Sequence, residues 1–246
     1  MAPDSEASGT PRSGDPPRCR TNRRRPLRSP DVTRSTVLFD FGGVITTSPF
    51  EAFARYEAEA GLPPDTVRRI NSTDPDTNAW AQFERSEIDV DGFVERFGAE
   101  GAALGLEVDG AKVLACLSGD LRPKMVAALD QLVDAGIRIG CITNNVRSGE
   151  GAGMARDAGR ADEIAAVMDR FEVVIESSVV GVRKPDPRIY ELACEAMDVQ
   201  PESAVYLDDL GINCKAAHLL GMHAIKVVDP DAALGELAEV TGVQLG

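Results

Sequence analysis

Residues 36–44, TVLFDFGGV, decide how the rest of the chain is read. A short β-rich run, Thr36 to Phe39, ends on Asp40, and Gly42 and Gly43 follow, where the backbone can turn sharply. The same grammar recurs downstream. Ile137 to Ile142 (IRIGCI) runs into Thr143-Asn144-Asn145, Val173 to Ile175 forms a third run, Ala204 to Leu207 (AVYL) ends on Asp208-Asp209, and Ala224 to Val228 (AIKVV) completes the set. Between them, Met125 to Val133, Ile189 to Met197 and Cys214 to Leu220 have helix-forming composition with apolar residues at helical spacing. Strand alternating with helix predicts an α/β fold built on a parallel sheet.

One segment breaks the alternation. Residues 48–118 contain helical patterns, such as Phe50 to Ala60 and Gly92 to Leu104, and no convincing strand. The expectation is a helical cap inserted after the first strand, over the carboxyl ends of the strands where ligands of open α/β sheets bind. Its aromatic residues Trp80, Phe83, Phe93 and Phe97 are read as cap core, since large aromatic side chains usually bury. The core domain is then 35–47 together with 119–246. Residues 1–34, rich in Pro, Ser, Gly and Arg, lack the apolar side chains needed to offset the entropy of ordering and are expected to be a disordered arm. The run Arg23-Arg24-Arg25 has no apolar export segment after it.

Composition narrows the function. The 246 residues carry 40 acidic against 26 basic side chains, a formal charge of -14, so the net field repels phosphate polymers and no nucleic-acid partner is expected. The arm holds 8 basic and 4 acidic residues, so the acidity lies in the remainder. Five cysteines stand far apart without a CxxC pair, and only His218 and His223 are available, which leaves disulfide frameworks, zinc sites and histidine catalysis without support. No apolar run approaches the roughly 18 residues of a membrane-spanning helix. A cytoplasmic protein, monomer or homodimer, with no membrane partner is the expectation.

The chemistry lies in what ends each strand. In a parallel sheet Asp40, Thr143, Asn144, Asp208 and Asp209 fall on one edge, joined by Lys184 from the loop Gly181-Val-Arg-Lys-Pro-Asp-Pro. Singly these are ordinary turn, cap and helix-start residues. Together they put three carboxylates, a hydroxyl, an amide and an ammonium into one volume. Clustered carboxylates repel unless a cation separates them, and an all-oxygen set suits Mg2+. With Lys184, Thr143 and Asn144 beside such an ion, a phosphoryl group has partners for its oxygens and Asp40 is the candidate nucleophile. Gly42 and Gly43 add backbone N–H groups that can face an anion.

These stretches, FDFGGV (39–44), ITNN (142–145), RKPDP (183–187) and YLDDLGIN (206–213), resemble the four motifs of the haloacid dehalogenase superfamily, over about residues 35–230. More narrowly, GGVITTSPF, AWAQFERSEI, GVRKPDPRIY and LDDLGINCKAAHLLGM are similar to the N-terminal phosphatase domain of soluble epoxide hydrolase and to acyl-CoA-dehydrogenase-associated domains. The resemblance implies a Rossmann-like core with a small helical cap and a two-step reaction through an aspartyl-phosphate on a small phosphorylated molecule. It also implies Asp40 as nucleophile and Mg2+ ligand, the Gly42 carbonyl and Asp209 as further ligands, and Asp208 near the metal's water or paired with Lys184. Thr143 and Asn144 would bind phosphoryl oxygens, and Asn213 would support the loop.

One position departs from the pattern. Phosphatases of the superfamily usually carry a second Asp two residues after the nucleophile, as acid and base; here Gly42 stands there. General acid–base help is typically worth about 10² to 10⁴ in rate, so the substitution predicts slow turnover, a good leaving group, or an acid from elsewhere. Two alternatives stay open: a 2-haloacid-dehalogenase-like hydrolase, against which the Asp208-Asp209 pair speaks, and a catalytically weak phosphate-binding pseudoenzyme. A phosphorylated receiver module fits less well, because its paired acids come first in the chain.

Overall fold

The computed structural model describes residues 34–145 and 158–246; the expectation for the arm, up to residue 33, lies outside them, as does most of the glycine-rich stretch after Asn145. Five parallel strands form one sheet: β1 (Thr36–Phe39), β2 (Arg138–Thr143), β3 (Val173–Glu176), β4 (Ala204–Asp208) and β5 (His223–Lys226), in the order β3-β2-β1-β4-β5. All five runs legible in the sequence are strands. β2 extends to Thr143 because that residue still pairs with Glu176 of β3.

The chain leaves β1 in one direction to build β2 and β3, then crosses back to place β4 on the other flank of β1. That reversal falls at the carboxyl end of β1, the usual ligand position of such sheets. Register fixes what lies there. Phe39 lies level with Cys141 of β2 and Leu207 of β4, so Asp40, Thr143, Asp208 and Asp209 emerge along one edge. The N–H of Asp40 donates to the Leu207 carbonyl at 2.8 Å, which ties the residue to β4.

Between β1 and the next core helix stand α1 (Pro49–Glu59), α2 (Thr66–Asn71), α3 (Ala79–Glu84), α4 (Val90–Ala103) and α5 (Gly110–Ala115). Asn78 caps α3 by accepting from the Ala81 N–H, and Asp89 caps α4 through the Gly92 N–H, both at 2.8 Å. This helical insertion has its own apolar core. Trp80 meets Phe53 and Phe93 edge-on, and Phe93 stacks on Phe97 with ring centroids 5.2 Å apart. The four aromatics expected to form a core do so. The two stalks of the insertion are stitched together where they enter and leave: Thr46 bridges Leu121, and the Thr47 N–H donates to the Asp120 carbonyl at 2.8 Å.

The remaining helices cover the sheet: α6 (Pro123–Asp134), α7 (Ala158–Met168), α8 (Ser177–Val180), α9 (Pro187–Ala196), α10 (Gly211–Leu219) and α11 (Pro230–Thr241). Proline opens α6, α9 and α11, where its missing N–H costs nothing. Alternation along β1 sends Val37 and Phe39 into one layer with Leu129 and Leu237, while Leu38 joins Ile189 and Tyr190 on the opposite face. Both faces are covered, so β1 is completely buried and reads as an unbroken apolar run. Among the described residues no helix is long and apolar enough to cross a membrane.

Candidate active site

The site grows from the tip of β1. Asp40 follows the last strand residue, and its Oδ1 accepts from its neighbour Phe41 N–H at 2.7 Å, which holds the carboxylate at the edge of the sheet. Lys184 arrives from the loop before α9 and is essentially fully buried. Its Nζ stands 2.7 Å from Asp40 Oδ1, 2.9 Å from Asp208 Oδ2 and 2.9 Å from the Ile142 carbonyl. A buried ammonium persists only where such partners replace water. Burial alone would lower its pKa, but the charges of Asp208 and Asp40 outweigh that and raise it, so Lys184 is cationic.

The adjacent acids Asp208 and Asp209 occupy different surroundings. Asp208 is fully buried and saturated with donors: Lys184, the Tyr206 hydroxyl, the Leu210 N–H at 2.8 Å and the Asn213 amide at 3.1 Å to each oxygen. Asp209, half-buried, accepts from the Ser48 hydroxyl at 3.0 Å. One oxygen from each of Asp40, Asp208 and Asp209 lies within 4.8 Å of the others. Three carboxylates thus face one ammonium, and burial together with the surplus negative charge makes Asp40 and Asp209 weaker acids. Burial first, and then Asp208 together with Asp209, push Asp40 up against the pull of Lys184; burial and Asp208 push Asp209 up likewise. This donor set fits a divalent cation: hard oxygens, surplus charge, and two carboxylates, Asp40 and Asp209, not saturated as Asp208 is.

Gly43 makes the crowding feasible. Its φ is +80°, and a Cβ there would lie 2.1 Å from Asp209 Oδ2. At Gly42 the opposite holds: φ is −70°, the residue is exposed, and a Cβ would meet nothing within 4 Å. Thr143 ends β2 on the same edge as Asp40 and is buried. Asn144 turns its side chain to the Lys184 backbone, accepting from its N–H at 2.8 Å and donating to its carbonyl at 3.1 Å. Asn213 points its amide at Asp208. Asn144 therefore braces the lysine, and Asn213 braces an acid.

Three contributors escaped sequence reasoning. Ser48 reaches Asp209 from the first stalk of the insertion. The Tyr206 hydroxyl donates to Asp208 from within β4, and its ring lies 5.8 Å from Lys184 Nζ. Glu84 descends from α3 and is buried, 2.6 Å from Arg183 Nε, with the Trp80 indole N–H donating at 2.9 Å and Asn144 Nδ2 at 3.3 Å. Burial pushes Glu84 up, while Arg183 and Trp80 hold it down. In the sequence, Tyr206 lies inside the strand run AVYL, and Ser48 and Glu84 fall within the stretches GGVITTSPF and AWAQFERSEI, where only the folded arrangement brings them to the site.

The arrangement is thus a parallel sheet with a helical insertion after its first strand, carrying at one edge an aspartate, a buried lysine and an acid pair. The chain belongs to the haloacid dehalogenase-like hydrolases, whose family model matches residues 35–221. It is 33% identical over 216 residues to mouse acyl-CoA dehydrogenase family member 10; the match takes in 85% of this chain but 19% of that protein, so the chain spans only about a fifth of this relative's length. It is 28% identical to the sesquiterpene phosphatase astK of Aspergillus oryzae, over 86% of this chain and 98% of the fungal protein. The fold resembles L-2-haloacid dehalogenase from Xanthobacter autotrophicus with a TM-score of 0.52 at 20% identity, over 85% of this chain and 84% of the other.

Proposed function

We propose that this protein is a Mg2+-dependent phosphomonoesterase acting on a small phosphorylated molecule through a covalent phosphoryl group on Asp40. The observation that carries the reading is the cluster of Asp40, Asp208 and Asp209 around the single ammonium of Lys184. A relative of nearly the same length is named as a phosphatase, which supports the reaction class. Mg2+, held by Asp40, Asp209 and the Gly42 carbonyl, would supply a positive centre for the phosphoryl oxygens and relieve the carboxylate repulsion.

The residues of the chain then divide the work. An Asp40 oxygen attacks phosphorus, the P–O bond to the leaving group breaks, and the leaving oxygen takes a proton. Water next attacks the same phosphorus, releasing inorganic phosphate and regenerating the carboxylate. Lys184 holds Asp40 in place and offers charge to the phosphoryl oxygens, with the Thr143 hydroxyl as a further donor. Asp208 keeps Lys184 oriented, and Asn144 and Asn213 brace these two residues. Because Gly42 has no proton to give, the leaving group takes one from water. The expected profile is activity on esters with acidic leaving groups and slow turnover of alkyl phosphates.

Gly42 also favours a second reading, a phosphate-binding protein with vestigial turnover. A panel of aryl, acyl, sugar, nucleotide and lipid phosphates assayed with Mg2+ separates the two. Phosphate release that disappears in Asp40→Asn supports the phosphatase; no release from any member, with phosphate binding intact in Asp40→Asn, supports the binding protein.

A further inference from the structure

We infer that Glu84, on helix α3 of the insertion, is a positioning residue that anchors the insertion to the sheet and, through Asn144, holds the catalytic-loop residue Lys184 in place. The argument starts from its saturation. Its carboxylate oxygens take the Trp80 indole N–H at 2.9 Å, Asn144 Nδ2 at 3.3 Å and the Arg183 guanidinium at 2.6 Å. Two hydrogen-bond donors and an ion-paired guanidinium thus occupy the Glu84 carboxylate, which makes it an acceptor shared between the insertion and the sheet edge.

What it does follows from where its partners lead. Asn144 continues to both backbone groups of Lys184, and Lys184 Nζ ends on Asp40 and Asp208. A continuous polar chain therefore runs from the insertion to the nucleophile candidate. Parallel contacts hold the same seam. Ser177 Oγ donates to the Glu84 carbonyl at 2.7 Å, Ser86 Oγ to the Ser178 carbonyl at 3.1 Å, and Arg183 Nη1 to the Pro75 carbonyl at 3.0 Å. Glu84 is the member of this seam that joins the insertion to the lysine loop on both sides, through Arg183 and through Asn144. Anchoring stands on these contacts alone; its effect on turnover rests on the phosphatase reading.

Trp80, the single tryptophan of the chain, bonds to Glu84 and so reports on the seam. Glu84→Ala and the isosteric Glu84→Gln would be compared with the full-length wild type by acrylamide quenching of Trp80, by hydrogen exchange of the peptide carrying Lys184, and by kinetics on p-nitrophenyl phosphate with Mg2+. In Glu84→Ala, loss of charge-assisted bonds should speed exchange of that peptide about tenfold and lower kcat by a similar factor. KM should stay within about twofold, since no substrate contact is removed. Trp80 quenching should rise, and Glu84→Gln should fall between Ala and wild type. Unchanged exchange at Lys184 overturns the inference, whether or not quenching rises. If Glu84→Ala does not fold, Glu84→Gln decides by the same exchange measurement. A wild type that hydrolyses nothing removes the phosphatase reading and leaves the exchange result to decide this one.

Discussion

Gly43 and Asp209 are in such close approach that even a methyl group cannot stand between them: the Cβ of any other residue at position 43 would fall 2.1 Å from Asp209 Oδ2 and 2.5 Å from its Cγ. Gly43→Ala must therefore displace a proposed metal ligand as well as strain a left-handed backbone. Gly136, also at φ +80° but with open space around it, is the control for strain alone. We expect Gly136→Ala to cost about 1 kcal/mol of stability and leave Mg2+ affinity intact, while Gly43→Ala costs about 1–3 kcal/mol. Titration calorimetry should show Mg2+ binding to Gly43→Ala weakened by about tenfold or more, the equivalent of one lost charge-assisted contact.

Position 42 has room for the acid that Gly42 lacks. Its backbone lies at φ −70°, and no atom comes within 4 Å of the place a Cβ would take. Gly42→Asp should fold with a melting temperature close to wild type and raise kcat on alkyl phosphates by about tenfold or more, within the range of general acid catalysis. Aryl phosphates, whose leaving groups need no proton, should gain little. Equal gains on both classes would rule out proton donation as the cause.

Neighbouring acids should fail in different ways. Asp208→Asn removes the charge facing buried Lys184 and disturbs the bonds from Tyr206, Leu210 and Asn213, a loss of about 3–5 kcal/mol that urea denaturation would register. Asp209→Asn relieves crowding among carboxylates, and its midpoint without metal should stay at or above wild type. Its Mg2+ binding and hydrolysis should be lost. Asp40→Asn should likewise be inactive, and EDTA should abolish wild-type activity until Mg2+ is restored.

Thiol chemistry offers an independent check on the core. Burial pushes Cys194 up to about 11 and Cys214 up to about 12, and raises Cys141 further. With Cys19 replaced by serine, native protein at pH 8 should release rapidly at most the one equivalent of Cys116, which is part-exposed, and the other three only on unfolding. Fast reaction of Cys141 would contradict its packing behind Thr143.

Much of the fold is legible in the chain because each strand announces its own end. β-rich runs stopping at Asp40, Thr143 and Asp208 define both the sheet and the edge where charge collects, and Lys184 lies in the proline-punctuated loop before α9. What stays hidden has physical reasons. Helices α2, α3 and α5 are six residues each and α8 four, too short for a 3.6-residue period to be seen. Tyr206 alternates as a core residue, and only its hydroxyl, aimed at Asp208 two positions on, makes it part of the site. Glu84 ends a helix whose other five residues are uncharged, and its burial arises from docking that no local pattern encodes.

The arrangement of strands also sets when chemistry can begin. β1 is the middle of the sheet, yet its flank β4 is supplied from far along the polypeptide, and Asp208 and Asp209 come with it. A nascent chain can close the helical insertion and pair β1 with β2 while Asp40 still has neither of these acids beside it. On the proposed mechanism activity arrives late in synthesis, so prematurely terminated products lacking β4 should be silent, and separately produced halves should become competent only on reassembly.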